Sequence, residues 1–127
     1  MGNTPRPTDA ELAILRVLWQ QGPSTVKQVQ NILTAVKPTG YTTVLKTMQI
    51  MTEKGLLRRD ESQYAHVYEA ALSREKTQRG LVTHLLERAF DGSASKLVMQ
   101  ALAAKKASPE ELSRIREILN QYERGTK

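Results

Sequence analysis

Cysteine is absent from this 127-residue sequence, and histidine occurs only twice, at His66 and His84. The lack of cysteine excludes a disulfide scaffold, a thiolate metal site and a thiol nucleophile, and it fits a reducing compartment. Two histidines are too few for most histidine-built metal sites. We therefore expect the protein to use neither a metal ion nor another cofactor.

Aromatic residues and long apolar segments are also scarce. Phe, Trp and Tyr make up 5% of the sequence, which disfavours an RNA-binding surface that stacks unpaired bases. No apolar run approaches the ~20 residues that a membrane-spanning helix needs, and the first residues lack the apolar segment of a signal peptide. No nucleophile stands in a pattern with a base and an orienting group. We expect a soluble, cytoplasmic protein that is not an enzyme.

The basic residues are unevenly distributed along the chain. The formal net charge is +6, and residues 12–59 contain seven basic residues but one acidic residue. The remainder is balanced, with 12 basic and 12 acidic residues. The seven are Arg16, Lys27, Lys37, Lys46, Lys54, Arg58 and Arg59. Because a basic surface that serves only solubility would be more evenly spread, this clustering favours a nucleic-acid partner.

Helix start and stop residues divide the first half of the sequence clearly. Thr8-Asp-Ala-Glu11 has the pattern of a capping box and predicts a helix that Gly22-Pro23 ends. Ser24 or Thr25 is expected to cap a second helix, whose apolar residues recur at spacings of three and four through Val36. A third helix is predicted from Tyr41 to Lys54.

A two-stranded hairpin is predicted next, with strands at 56–61 and 64–68 joined by a Ser62-Gln63 turn. Three further helices follow: one opened by Ser73, a short one at 97–104, and one that begins after a Ser108 cap. This order predicts a mainly α fold with a small β-hairpin. We expect an N-terminal domain at residues 1–72 and a C-terminal helical domain at 73–127.

The third predicted helix has two different faces. At 100° per residue, Val44, Met48 and Met51 fall on one side. The opposite side carries Thr42, Lys46, Gln49 and Glu53. Such short polar side chains can donate or accept hydrogen bonds at base edges and phosphates in a major groove. The alternative is an ordinary solvated face.

Three helices followed by a hairpin have the order of a winged helix-turn-helix, in which the third helix enters the major groove. Arg58 and Arg59 on the hairpin would then lie near a flanking phosphate or the minor groove. The alternative for this pair is a charged strand edge that prevents aggregation.

Six segments, in order and at matching spacing, resemble the penicillinase-repressor family of bacterial winged-helix regulators, the BlaI/MecI/CopY group. They are Thr8–Glu11 followed by Leu18-Trp19, Gly22–Val26, Tyr41–Val44, Glu53–Leu56, Ala65–Tyr68 and Phe90–Ser93. The resemblance implies a homodimeric repressor of antibiotic-resistance or copper-handling genes that binds an inverted-repeat operator. The resemblance also implies DNA contacts at Tyr41, Thr42, Thr43 and Lys46. To these predicted DNA contacts we add Gln49 from the helix-face pattern, and Arg58 and Arg59 from the charge pattern.

The sequence departs from this family at two places that concern release from DNA. In the β-lactam systems of the family, a membrane sensor-protease triggers cleavage of the repressor at an Asn-Phe bond. That bond would align with Gln100-Ala101 here. The C-terminal cysteine motif of the copper branch is missing, so copper sensing through thiolates is not expected.

The C-terminal helices carry more apolar residues than such short helices can bury alone, which predicts a homodimer. The residues predicted for dimerisation are Leu81, Leu85, Leu86, Phe90, Leu97, Leu102, Leu112, Ile115 and Leu119. The alternative function is a winged-helix protein-interaction module, in which these helices bind another partner and DNA is not read.

Overall fold

The computed structural model describes residues 6–125 and contains six helices and one antiparallel hairpin. The elements are α1 (Asp9–Gln21), α2 (Val26–Val36), α3 (Tyr41–Glu53), β1 (Leu57–Asp60), β2 (Val67–Ala70), α4 (Arg74–Ala89), α5 (Ala94–Ala104) and α6 (Pro109–Glu123). The chain divides into two compact units after Thr83, within α4. The functional boundary predicted near Ser73 stays a prediction.

Capping boxes begin the first two helices. The amide of Glu11 donates to the Thr8 hydroxyl at 3.2 Å, and the Glu11 carboxylate accepts from the Thr8 amide at 2.9 Å, as the sequence predicts. Thr25 and Gln28 form the equivalent pair for α2. Ser24 does not cap α2, because its backbone pairs with that of Tyr68 in an isolated antiparallel bridge.

The core of the first unit lies between α1, α2, α3 and the hairpin. It consists of Ile14, Leu15, Val17, Leu18, Val26, Val29, Val44, Met48, Met51, Leu56, Leu57 and Tyr68. The apolar stripe of α2 extends beyond the core at its C-terminal end. Val36 is 91% exposed because it borders an open groove, which Ala10, Ala13 and Leu33 also line, rather than the core.

The hairpin differs from the prediction in its second strand. Strand β1 pairs with β2 from Leu57 opposite Ala70 to Asp60 opposite Val67, so residues 61–66 form the connection. The predicted strand at 64–68 was therefore placed too early. A turn begins directly after β1, where the Asp60 carboxylate accepts from the Ser62 amide at 2.9 Å, and pairing with Ser24 fixes Tyr68 within the later strand.

Helices α5 and α6 begin with serine caps. The hydroxyl of Ser93 accepts from the Lys96 amide, so α5 starts at Ala94, before the predicted Leu97. The hydroxyl of Ser108 caps α6 as predicted. Within residues 6–125, no helix is both long and apolar enough to cross a membrane.

Candidate nucleic-acid interface

Helix α3 presents a polar face to solvent because its other face packs in the core. Val44, Met48 and Met51 are buried, whereas Thr42, Thr43, Lys46 and Gln49 are exposed, as is nearly half of Tyr41. The two faces predicted from the sequence are thus present in the structure. No acidic residue lies in the first turn of α3, so the positive end of the helix dipole faces no carboxylate of its own helix.

The threonines of α3 fall into two groups. The hydroxyls of Thr47 and Thr52 donate to the carbonyl oxygens of Thr43 and Met48, each at 2.8 Å. In the described part of the chain, the hydroxyls of Thr42 and Thr43 form no such bond. Their hydrogen-bonding capacity is therefore directed outward, where it can serve a ligand.

The turn that leads into α3 is held by hydrogen bonds that sequence reasoning missed. Gln30 Nε2 and Thr34 Oγ1 on α2 both donate to the Thr39 carbonyl oxygen, at 3.1 and 3.0 Å. The Thr39 hydroxyl in turn donates to the Lys37 carbonyl oxygen at 2.8 Å. Together these bonds set the start of α3 relative to α2.

One of the seven clustered basic residues forms an ion pair with a buried carboxylate. Lys54 Nζ lies 2.8 Å from Glu11 Oε2, and the Glu11 side chain is only 5% exposed. Burial raises the pKa of the Glu11 carboxyl, but the hydrogen bonds from Lys54 and Thr8 and the Lys54 charge lower it more, so the net pKa lies below its ordinary value. Lys54 therefore neutralises a buried carboxylate.

The two arginines of the hairpin also have carboxylate partners. Arg58 Nε lies 3.1 Å from Glu69 Oε2, and Arg58 also donates to the Ala71 carbonyl oxygen at 3.3 Å. Arg59 pairs with Glu61. The Tyr68 side chain, together with Glu61, raises the pKa of Arg59.

These ion pairs change the interpretation of the charge cluster. Glu11, Glu61 and Glu69 lie outside residues 12–59, so counting charges within that range overstated the local positive excess. Within residues 6–125, the other four of the seven have no carboxylate within 4 Å: Arg16, Lys27, Lys37 and Lys46. These four residues carry the charge that is most readily available to an anion.

The residues predicted for dimerisation and cleavage lie on the C-terminal helices. Helices α4, α5 and α6 contain no buried residue in the described chain. Leu81, Leu86, Phe90, Leu97, Leu112 and Ile115 are half-buried, and Leu85, Leu102 and Leu119 are exposed. Gln100 and Ala101 are exposed positions within α5.

A family model described as penicillinase repressor matches residues 7–121. The chain belongs to the penicillinase repressor family. It is 29% identical over 126 residues to the transcriptional regulator BlaI of Mycobacterium tuberculosis, in two strains, covering 98% of this chain and 91% of that protein. The resemblance stated from the sequence is confirmed, and the relatives are transcriptional regulators rather than enzymes.

One solved structure agrees with the winged-helix fold predicted from the sequence. The solution structure of the DNA-binding domain of the repressor BlaI matches with a TM-score of 0.51 and 22% identity, over 58% of this chain and 90% of that one. A probable transcriptional regulator from Pseudomonas aeruginosa matches with a TM-score of 0.43 and 22% identity, over 91% of this chain and 77% of that one. The match to the BlaI domain confirms the winged-helix fold predicted from the sequence.

Proposed function

We propose that this protein represses transcription by binding an inverted-repeat operator as a homodimer, with α3 in the major groove. The observation that carries the proposal is the outward face of α3, where Thr42, Lys46 and Gln49 stand opposite a buried apolar face. This face has the hydrogen-bonding groups that read base edges, on a helix that the core and the Thr39 turn hold in place.

Exposed apolar side chains of the second unit support the homodimer. Leu102 on α5 and Ile118 and Leu119 on α6 are exposed. A second copy would bury such surface at ~25 cal/mol per Å². A two-fold dimer would also place two copies of α3 about one DNA turn, ~34 Å, or a multiple of that apart.

We propose that the regulated genes are those of β-lactam resistance or a related stress response. We also propose that a membrane sensor-protease acts upstream of this protein. Family membership supports this, since a regulator that the chain resembles over nearly its whole length is BlaI. Chromatin immunoprecipitation with the full-length protein, followed by sequencing, tests the proposal. Enrichment confined to promoters of unrelated metabolic genes would contradict it.

Substitutions on α3 test whether this helix reads DNA. Lys46→Ala should weaken binding to duplex DNA. Because one phosphate contact is lost, the slope of log affinity against log salt concentration should also become less steep by about one. Thr42→Ala should reduce discrimination between selected and random duplexes by ~1–3 kcal/mol if its hydroxyl contacts a base. Gel-shift titrations with a duplex selected from a random-sequence pool provide both measurements.

Thr47→Val is the matched control, because the Thr47 hydroxyl is already bonded to the Thr43 carbonyl oxygen. It should leave discrimination unchanged. If Lys46→Ala and Thr42→Ala both behave like this control, α3 does not read DNA. Full-length protein that shows no salt-dependent binding to any duplex would instead support the protein-interaction module.

A further inference from the structure

The hairpin is joined to α4 by a connection of three residues, 71–73. Helix α4 begins in the first unit at Arg74 and ends in the second at Ala89, because the units divide after Thr83. The direction in which α4 leaves the hairpin is therefore set by this connection and by the groups that hold it.

Hydrogen bonds hold both ends of the connection. The Ala71 amide donates to the Leu56 carbonyl oxygen at 2.9 Å, and the Ala71 carbonyl oxygen accepts from Arg58 at 3.3 Å. At the other end, the Ser73 hydroxyl accepts from the Lys76 amide at 3.1 Å. This last bond satisfies one of the amides in the first turn of α4 that have no partner within the helix.

Trp19, near the end of α1, holds the middle of the connection and the start of α4. Its Nε1 donates to the Leu72 carbonyl oxygen at 3.0 Å. Its partly buried ring packs against the core, and the guanidinium carbon of Arg74 lies over that ring, 5.8 Å from the centroid. A cation within ~6 Å of an aromatic face is attracted to it. One side chain of α1 therefore contacts both the connection and the first residue of α4.

The indole hydrogen bond supplies something that packing alone does not. A phenyl ring at position 19 could pack against the same core residues but could not donate to Leu72, which is 53 positions away in the sequence. A swing of α4 about residues 71–73 would break this hydrogen bond and the contact between Trp19 and Arg74 together. The start of α4 is thus held by side chains as well as by the continuity of the chain.

We propose that Trp19 and Arg74 form a clamp on α4, and that this clamp lets the protein discriminate between operators by the spacing of their half-sites. The inference rests on the proposed function, since spacing matters only when two copies bind one operator. In such a dimer, the distance between the two copies of α3 depends on the direction of α4, and half-site spacing must match that distance. Trp19 is a positioning residue, because it acts on DNA binding through α4.

Gel-shift titrations of the full-length protein test the clamp with duplexes whose half-sites are shifted by two base pairs. The spacing ratio is the affinity for the best spacing divided by the affinity for the shifted one. Trp19→Phe removes the indole N–H and should lower this ratio several-fold, and Arg74→Gln should lower it less. Arg79→Gln, at an exposed arginine on the same helix, is the matched control and should keep the wild-type ratio. A uniform loss of affinity or of folded protein cancels in the ratio, so a purely structural role of Trp19 leaves it unchanged.

A distance measurement tests the clamp without DNA. The chain has no cysteine, so Val36→Cys, at a position that is 91% exposed, gives one spin-label site in each copy. Double electron–electron resonance then measures the distances between the two labels of a dimer. We expect a narrow distribution with the clamp intact and a broader one when Trp19→Phe is added.

The outcomes separate the clamp from the proposed function. A dimer with equal distribution widths, or equal spacing ratios in all variants, would overturn the clamp while leaving the homodimeric repressor standing. A full-length protein that stays monomeric, or that binds an inverted repeat no better than one half-site, would overturn the proposed function and the clamp with it.

Discussion

Glu11 performs two tasks at the start of α1. Its carboxylate completes the capping box with Thr8 and also accepts a hydrogen bond from Lys54, at the end of α3. The sequence predicts the first contact because the two residues are three apart. It does not predict the second, which joins residues 43 positions apart and depends on how α1 and α3 pack.

Glu11→Gln should lower the free energy of unfolding by about 1 kcal/mol at pH 7, because a charge-assisted hydrogen bond is lost and the partly exposed Lys54 is screened by water. The folded-state pKa of Glu11 lies below its ordinary value of 4.5, so this stabilisation is complete above that value. It is lost as the pH falls through the lower, folded-state pKa. Urea denaturation of both proteins between pH 7 and pH 3 measures the difference.

Glu69→Gln is the matched control, because its ion pair with Arg58 is exposed on both sides. It should change the free energy of unfolding by less than ~0.5 kcal/mol at any of these pH values. If the two variants lose the same free energy of unfolding, the ion pair between Glu11 and Lys54 stabilises the protein no more than an exposed pair does.

Among the elements, α3 could be predicted in detail and the hairpin could not. The period of Val44, Met48 and Met51 determines the buried face of α3, and its outward residues follow from that. The second strand depends instead on the bridge between Ser24 and Tyr68, which is a contact between distant segments. No local pattern identifies this bridge, so the strand was predicted too early.

Helix α5 contains the bond at which the sequence analysis places the family's cleavage position. The resemblance to the family would align its cut Asn-Phe bond with Gln100-Ala101, and both of these residues lie inside the helix. We predict no cut between them when the protein is coexpressed with a sensor-protease of the family, as measured by mass spectrometry.

The double variant Gln100→Asn, Ala101→Phe restores the family's side chains at the same place and should gain the cut. A cut in this variant serves as the positive control that the protease is active in these cells. A clean cut of the wild type at this bond would contradict the prediction.

At the scale of the whole molecule, a winged helix is combined with helices that lack buried residues of their own. One small domain makes few phosphate contacts, so we expect it to hold half of an operator weakly. Pairing through the second unit would join two such domains and bury side chains such as Leu102 and Leu119. Composition and apolar spacing predict this need for a partner, but they cannot give the geometry of the pair.

Sedimentation velocity with a fluorescently labelled duplex tests the central proposal most directly. We predict that two copies bind together to a duplex that contains the selected inverted repeat. Binding to a duplex with one half-site should be far weaker, and Leu119→Glu should reduce binding to the full repeat toward that level. A single copy bound with equal affinity to both duplexes would contradict the proposal that this protein reads its operator as a homodimer.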